Sequence, residues 1–569
     1  MLMHTDRQPP IGRSHLIVVV GGVAAGMSAA ARARRLSESA QITVLERGQH
    51  PSFANCGLPY FVGGEITEPH DLLVQTPASL KASLNLDVRI GHEVTGFDHE
   101  AKVVFATDGS GQTTEFPYDE LILAPGTQAL RPTIAGLDSP RVHTLRTVED
   151  AIALRESIHK HARKAVVLGA GFIGIEAAEA FAQMGVETSV VELAPHVIPP
   201  LEDEIASRVA SELERLGVHL FTSRSAVEIK HGPQVDSVCL SDGTALEADV
   251  VVLSVGTRPD TGPFEQSGVT CDRGFIVTDE HGRTNLPGVY AAGDATLSTD
   301  EVTGAARPVA LAGPANRAGR LIADAIFLGD RARPIPRALG TAIVRVGELT
   351  VAMTGANRAS LEAAGTSFHT LHLHPNQHAG YFPGAEQLSI IVHIGRSDGR
   401  LLGAQAVGKA GVDKRIDILA AAMRNGTTAP ELIDFDLAYA PPYGSAKDPI
   451  NFIGMVAENL LDGTLTLWYA QQLDDLKKDH LILDVRSRAE FDAMHIPGSL
   501  NIPHTELRER LDEVRGAAQG RGIRLLCKSG VRAHIANRIL LQEGLDSASL
   551  SGGILTLIDA LGSERLTKG

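Results

Sequence analysis

Four cysteines in 569 residues are too few for a disulfide scaffold, and thiols used this sparingly point to sulfur chemistry where they stand in built loops. The amino-terminal region also lacks a long apolar run. Leu16-Ile17-Val18-Val19-Val20 falls far short of the roughly 20 residues of a membrane span, and it is too short for a signal sequence. Residues 1–15 ahead of it are polar and include Pro9-Pro10. The expectation is a cytoplasmic protein with a loose amino-terminal tail and no membrane partner. Positive charge is in deficit: 52 Lys and Arg face 68 Asp and Glu, for a net charge of -16. That balance argues against broad nucleic-acid binding, which needs a basic surface to release counterions. Hydrophobic content of 43% with 21% charged residues is ordinary for soluble protein, and the length allows several domains with their own cores.

An anionic small ligand would need a local basic patch on such a chain. Ser28, Arg32 and Arg35 fall at i, i+4 and i+7, one stripe of a helix. The stripe is either a ligand contact or a solvated cationic face.

The apolar run 16–20 leads into Gly21-Gly22-Val23-Ala24-Ala25-Gly26 and an Ala-rich stretch, and a second strand at 42–45 ends in Glu46. Strand, glycine turn, helix, strand and acid in this order form a dinucleotide fingerprint. Glycines let the backbone approach a pyrophosphate at the helix start, and the acid accepts a ribose hydroxyl. The pattern recurs with a strand at 165–168, Gly169-Ala170-Gly171-Phe172-Ile173-Gly174, a helix at 175–184 and a strand at 189–191 ending in Glu192. Two dinucleotide sites are therefore predicted. A third element, Gly288-Val289-Tyr290-Ala291-Ala292-Gly293-Asp294, reads by itself as a strand-end turn with a capping aspartate.

Together with strand-to-turn crossings at 121–127, which contains Gly126, and at 251–257, these features resemble the FAD-dependent pyridine nucleotide disulfide oxidoreductases over roughly residues 15–460. The resemblance implies FAD contacts at Gly21, Gly22, Ala25, Gly26, Glu46, Arg47, Gly126, Gly293 and Asp294, and nicotinamide-cofactor contacts at Gly169, Gly171, Gly174 and Glu192. It implies a discontinuous FAD-binding domain at 15–145 and 260–335, an NAD(H)-binding domain at 146–259 and an α+β dimerisation domain at 336–462. The last matches strand-like runs at 341–354, 367–374, 387–395 and 401–407. Residues 464–472 read as a junction. Glu192 accepts a ribose 2′-hydroxyl and repels a 2′-phosphate, and residues 193–199 contain no arginine, so NADH is expected over NADPH.

Cys56, in Ser52-Phe53-Ala54-Asn55-Cys56-Gly57-Leu58-Pro59-Tyr60, stands where this family puts its redox cysteine against the flavin. Two-cysteine members carry a Cys-x4-Cys pair there. No neighbouring cysteine follows Cys56, so its sulfur must pair with something brought in. Single-cysteine members are NADH peroxidases and oxidases, which work through a sulfenic acid, and coenzyme A disulfide or persulfide reductases, which work through a mixed disulfide. The former carry a histidine in the FAD glycine turn, where this chain has Ala24. The chain thus resembles the coenzyme A branch, which implies ligand contacts at Ser28, Arg32, Arg35, Ser52, Asn55 and Lys447. Arginines meet the phosphates of coenzyme A in bidentate fashion. The resemblance further implies a homodimer in which Tyr381 and Tyr439 of the partner copy approach the redox centre, with Tyr443 as an alternative; plain packing is the other reading of all three. A phenol there donates a hydrogen bond to a thiolate.

Beyond the junction, strands at 481–485 and 523–526, a helix near 506–514 and a helix from 533 read as a small α/β unit. Its loop Cys527-Lys528-Ser529-Gly530-Val531-Arg532 sets a thiol over backbone N–H groups at a helix start, an arrangement that depresses a thiol pKa. With Asp484-Val485-Arg486, Glu490-Phe491 and residues 495–503, it resembles the rhodanese sulfurtransferases over roughly 472–562, with the domain reaching 569. The resemblance implies a persulfide on Cys527. Arg532 either adds positive potential to it or ties the loop to a carboxylate.

The whole chain reads as α/β: two Rossmann-like domains, a dimerisation domain and a rhodanese domain. The implied activity is NADH-dependent reduction of coenzyme A persulfide, polysulfide or coenzyme A disulfide, catalysed at Cys56 and Cys527 with Tyr381 and Tyr439. An NADH oxidase or peroxidase is the same-class alternative, and a sulfur carrier or redox sensor the different one. His369, His372, His374 and His378 lack a carboxylate or thiol that would complete a metal set and read as satisfied or exposed histidines; no metal is expected. Cys239 and Cys271 read as ordinary thiols, and Glu202-Asp203-Glu204 as a solvated helix start.

Overall fold

The computed structural model describes residues 15–568, so the expected amino-terminal tail lies, His15 apart, outside the described residues. The described residues divide into two compact units, 15–191 with 225–338 and 192–224 with 339–568.

In the first unit the strands Val289–Ala291, Glu120–Leu123, Leu16–Val20, Gln41–Glu46 and Asp87–Ile90 form, in that order, a parallel sheet. Side chains alternate across a strand, so Ile17 and Val19 enter a core with the helices Ala24–Leu36 and Ala312–Leu328. Val18 and Val20 enter another core, with Val94 and Phe97 of the strand His92–Asp98 and Val104 of the strand Val103–Asp108. Both faces are covered, which is why the strand is an unbroken apolar run. Ala29, Ala30 and Ala33 keep the first helix slim, and a Cβ on Gly319 would collide with the Ala25 carbonyl oxygen. A second parallel sheet orders Val142–His143, Val250–Leu253, Lys164–Leu168 and Glu187–Val191, with the helix Phe172–Gln183 following its glycine turn.

The second unit holds an antiparallel sheet ordered Ala342–Val346, Leu349–Gly355, Leu401–Gly408, Ser389–Gly395 and Phe368–Leu373. The run 341–354 is a hairpin, reversed at Gly347, which has φ 57°. The carboxy-terminal sheet is parallel and ordered Leu467–Trp468, Ser547–Leu550, Ile523–Leu526, Leu481–Asp484 and Leu500–Asn501. Its edge strand thus lies inside the stretch expected as a junction. Trp468, the single tryptophan, is buried there and donates its indole N–H to the Leu525 carbonyl at 3.0 Å. The helix expected near 506–514 forms at Leu511–Ala518.

One expectation is overturned. Glu202 and Glu204 are not solvated: they are 5% and 3% exposed, at the start of the helix Asp203–Arg215. Arg358 reaches Glu202 at 3.5 Å and Glu204 at 3.1 Å, His393 Nε2 lies 2.9 Å from Glu202, and His372 Nε2 lies 3.4 Å from Glu204. These partners come from more than 150 residues away, where no local charge pattern reaches. Burial works to raise both carboxyl pKa values, but the histidine and arginine partners hold them below the ordinary carboxylate range. His374, also buried, shares hydrogen bonds with Ser389 Oγ at 2.9 Å and Thr556 Oγ1 at 2.8 Å. Burial, with the positive field of Arg208 and His372, pushes its pKa down from 6.5 to about 3.

The sign of the pH dependence follows. Between about pH 6.5 and 3 the unfolded chain binds a proton at His374 that the folded chain refuses, so stability present above this window is lost as pH falls through it. Glu202 and Glu204 act in the same direction below about pH 4.5. Acidification from pH 7 to 5 should lower the urea midpoint read from Trp468 fluorescence, with a slope of up to about 1.4 kcal/mol per pH unit. His374→Asn should flatten that slope; an unchanged slope would remove His374 as its source.

Candidate active sites

Close backbone approach builds the first glycine turn. A Cβ at Gly21, which has φ 95°, would collide with the Ala124 carbonyl oxygen, and one at Gly26 with the Gly21 carbonyl oxygen. Ala25 is buried in the helix's first turn. The Gly22 N–H donates to Glu46 Oε2 at 2.6 Å and the Gly48 N–H to Oε1 at 2.7 Å. The carboxylate is thus fixed beside the turn at the strand's carboxyl end, where open α/β sheets take their ligands. Arg47 is ion-paired with Asp260. Gly21, Leu45, Glu46, Arg47, Asp260 and Phe264 line one cleft. Gly126 and Gly293 have φ 71° and 84°, and Asp294, which is the N-cap of none of the helices among the described residues, faces Arg146 at 3.9 Å. Burial pushes the Asp294 carboxyl up, against the pull of Arg146. Side-chain-free turns, a preset acid and a half-buried aspartate fit a dinucleotide of the FAD type.

The Cys56 loop is pinned to this turn. Ser52 takes a left-handed conformation with φ 52°, strained for a residue with a Cβ. Its N–H donates to the Gly22 carbonyl at 2.7 Å, its carbonyl accepts the Val74 N–H at 2.9 Å, and the Ala54 N–H donates to the Leu72 carbonyl at 2.7 Å. Asn55–Gly57 forms one tight turn before the helix Leu58–Val62, leaving Cys56 exposed. Although its sulfur reaches the surface, partial desolvation by the surrounding protein pushes its thiol pKa up, and the carboxylates of Glu176 and Asp294 add to the rise. Glu176 stands on the helix of the second glycine turn, which packs against the helix Leu58–Val62 that follows the Cys56 loop. Tyr60 donates its hydroxyl to Glu176 Oε1 at 3.3 Å. Glu176 escaped the sequence reading; the signal was an acid among the apolar residues Phe172, Ile173 and Ile175.

At the second turn a Cβ on Gly169 would collide with the Ser254 carbonyl oxygen and one on Gly174 with the Gly169 carbonyl oxygen, while Gly171 is the N-cap. Glu192 accepts the Ala194 N–H at 2.8 Å. An arginine does stand beside it in space: the Arg224 N–H donates to the Glu192 carbonyl at 3.0 Å, with its guanidinium 5.5 Å from the Phe221 ring.

The basic stripe is divided. Ser28 donates to the Asn316 carbonyl at 2.8 Å and Arg32 to Asp324 at 2.6 Å, whereas exposed Arg35 meets the Ala31 carbonyl of its own helix at 3.2 Å. Lys447, in the second unit, is exposed. Tyr381 and Tyr439 are brought together, hydroxyl to hydroxyl at 3.0 Å, and both are exposed, as is Tyr443. That hydrogen bond raises the Tyr381 pKa. Buried Arg415, not foreseen, sets the pair: it donates to the Gln377 carbonyl at 2.8 Å on one loop and to Asp448 at 2.9 Å on the other. Asp448 also caps the helix Pro449–Leu461.

Cys527 follows the strand Ile523–Leu526 and is buried, its Sγ accepting the Gly530 N–H at 3.1 Å where the helix Val531–Gln542 begins. Lys528 is exposed. Arg532 makes a bidentate pair with Glu490 at 2.7 and 2.8 Å, and that pairing, with help from Ser487, brings the Glu490 carboxyl down to about 2. Of the two readings of Arg532, the tie to a carboxylate is the one formed. Arg486 grips Asp484 at 2.6 Å, both buried. His378 is buried and bonded to the Ala379 carbonyl, and His369 is half-buried. Among the described residues no group of three or more His, Cys, Asp or Glu side chains could hold a metal ion, and no helix is long and apolar enough to cross a membrane.

Three family models match: pyridine nucleotide-disulphide oxidoreductase at residues 15–314, its dimerisation domain at 341–448, and a rhodanese-like domain at 466–557. The chain is similar to a coenzyme A disulfide reductase of Staphylococcus haemolyticus, 34% identical over 447 residues covering 78% of this chain and 99% of the relative. It is similar in structure to reduced Bacillus anthracis CoADR-RHD, with TM-score 0.94, 38% identity and coverage of 98% of this chain and 100% of that one. A NAD-dependent persulfide reductase from A. fulgidus has TM-score 0.88 and 36% identity, covering 95% and 99%.

The acids around Cys56 generate a prediction. Glu176→Gln removes one charge that disfavours the thiolate, so iodoacetamide should label Cys56 faster at pH 7, by roughly two- to tenfold, as read by mass spectrometry of its peptide. An unchanged rate would place Glu176 outside the field of the sulfur.

Proposed function

Because the chain belongs to the pyridine nucleotide-disulphide oxidoreductase family and carries a dimerisation and a rhodanese-like domain, we propose that it is an NADH-dependent, FAD-containing reductase of coenzyme A persulfide, polysulfide or coenzyme A disulfide. Cys56 is its redox thiol, and the rhodanese-like domain carries sulfane sulfur on Cys527. The observation that carries this reading is a lone exposed thiol pinned to a dinucleotide turn, in a chain similar to proteins named coenzyme A disulfide reductase and persulfide reductase.

FAD supplies two-electron transfer between a nicotinamide and a sulfur. Gly21, Gly22, Ala25, Gly26, Glu46, Arg47, Gly126, Gly293 and Asp294 hold it, and Gly169, Gly171, Gly174 and Glu192 hold NADH. The Cys56 thiolate attacks a sulfur of the substrate; one S–S bond forms as another breaks, and the leaving sulfur departs with the bonding pair as a thiolate or sulfide. Since partial desolvation, with Glu176 and Asp294 adding to it, raises the Cys56 pKa, thiolate must be sustained by donors from outside the loop. The paired phenols Tyr381 and Tyr439 of a second copy serve this role in a homodimer, which the dimerisation domain supports. Ser28, Arg35, Ser52, Asn55 and Lys447 contact coenzyme A, with Arg32 after exchange from Asp324. Domain limits of 15–145 with 260–335 (FAD), 146–259 (NAD), 336–462 (dimerisation) and 472–569 (rhodanese) go with this reading, as does a cytoplasmic location, supported by four free thiols.

Cys56→Ser should abolish NADH-driven persulfide reduction, by about 10³-fold or more, while Cys527→Ser leaves coenzyme A disulfide reduction intact. Mass spectrometry of Cys56 as isolated should find a coenzyme A adduct. Sulfide release by the Cys56 variant would sink this reading, and a sulfenic acid coupled to peroxide turnover would replace it with an oxidase or peroxidase. NADH should be preferred over NADPH by at least about tenfold in kcat/KM, a ratio that Glu192→Ala narrows.

A further inference from the structure

His372 and His374, singled out in the sequence and unused by the chemistry above, point from the antiparallel sheet at the domain that carries Cys527. Ser551 Oγ accepts the His372 backbone N–H at 3.2 Å and lies 2.8 Å from His372 Nδ1. When the Ser551 hydroxyl donates to Nδ1, the ring proton sits on Nε2 and faces Glu204 Oε1 at 3.4 Å. Serine, histidine and carboxylate stand in the order of a hydrolytic triad. Ser551, however, is 3% exposed, and a nucleophile there could meet no substrate.

What the contact does reach is the Cys527 loop. Ser551 opens the turn Ser551-Gly552-Gly553, which leads into the helix Gly553–Leu561. Both glycines are left-handed, with φ 69° and 67°. A Cβ on Gly552 would run into Thr556 Oγ1 and His372 Cβ, and a Cβ on Gly553 into the carbonyls of Cys527 and Lys528. The turn is therefore one backbone thick, with the histidine against one side and the sulfur-bearing loop against the other. Beyond it, the Ile554 N–H donates to the Cys527 carbonyl at 2.9 Å and the Leu555 N–H to the Lys528 carbonyl at 3.2 Å. His374 clamps the same helix through Thr556 Oγ1, and Arg208 pairs with Asp559 at 2.8 Å.

We propose that His372 is a positioning residue for sulfur transfer at Cys527: through Ser551 it sets the glycine turn that packs against the Cys527–Lys528 backbone and leads into the helix whose Ile554 and Leu555 N–H groups hold the carbonyls of those two residues. Sulfur chemistry in the rhodanese-like domain then depends on a histidine from the dimerisation domain. The inference rests on Cys527 being the sulfur-bearing thiol.

Thiosulfate and cyanide test it on the full-length holoenzyme. The Cys527 thiolate attacks the outer sulfur of thiosulfate, forming a persulfide bond as the thiosulfate S–S bond breaks and sulfite leaves with the pair. Cyanide then takes the outer sulfur as thiocyanate and restores the thiolate. His372→Ala and Ser551→Ala, which remove the contact from either side, should each lower kcat for thiocyanate formation about tenfold, the scale of one buried hydrogen bond, with KM for thiosulfate within about twofold and NADH-driven coenzyme A disulfide reduction unchanged. His372→Asn keeps an acceptor near the Nδ1 position and should restore kcat to within about twofold of wild type. Wild-type transfer in both alanine variants, or an asparagine variant as impaired as the alanine one, would overturn the positioning role. Absence of Cys527-dependent transfer in the wild-type enzyme would instead overturn the assignment of Cys527, so the two failures are told apart.

Discussion

A carbonyl oxygen pressed against the Cα of a glycine recurs at the loops on which this protein's chemistry depends. Ala124 meets Gly21, Ser254 meets Gly169, and Cys527 meets Gly553, each so closely that a single methyl group would collide. Such contacts bring the chain close to helix starts, where N–H groups can hold an anion without a side chain. They also remove slack, since a turn packed backbone to backbone cannot rotate to accommodate a misplaced partner. The glycine turns and the sulfur loop are thus versions of one device, which the proposed function applies to pyrophosphate in one case and to a sulfur anion in the other.

The two thiols sit in opposite electrostatic settings. Cys56 is exposed and faces carboxylates that disfavour its thiolate, so its reactivity is conditional on what binds beside it. Cys527 is buried, and a backbone N–H already points at its sulfur; the one carboxylate on the adjoining arginine, Glu490, is neutralised in a bidentate pair with Arg532. A thiol that waits for cofactor and substrate suits redox turnover, whereas a preset one suits holding a sulfur atom between donor and acceptor.

Short-range pattern carried most of this into view. The apolar runs at 16–20 and 165–168, each followed by glycines, with Glu46 or Glu192 ending the next strand, announce their sheets because strand, turn and helix are neighbours in sequence. Cys56 and Cys527 were legible for the same reason, each inside a compact loop. What stayed hidden depends on contacts across long stretches of chain. Glu202 and Glu204 look like an ordinary acidic helix start, and only Arg358, His372 and His393 reveal them as buried. Arg415, which fixes the two tyrosine loops, is one arginine in an unremarkable helix until Gln377 and Asp448 converge on it. The hairpin at 341–354 and the edge strand at Leu467–Trp468 were blurred because a turn at Gly347 and a two-residue strand leave little periodicity to read.

Why the rhodanese-like domain should be docked by buried polar groups is itself a physical question, since apolar residues would bury as well at lower desolvation cost. An apolar contact tolerates sliding; a hydrogen bond between His374 and Thr556, or between His372 and Ser551, is lost over an ångström of displacement and leaves both partners unsatisfied in a low-dielectric interior. A network of this kind therefore selects one docking register out of many that hydrophobic burial would allow. Register matters here because the docked surface is the glycine turn that backs the Cys527 loop, and a slip on the scale of one hydrogen bond would be passed through Gly552 and Gly553 to the backbone under the sulfur. The cost of burying Glu204 and His372 beside half-buried Arg358 is the cost of that single register.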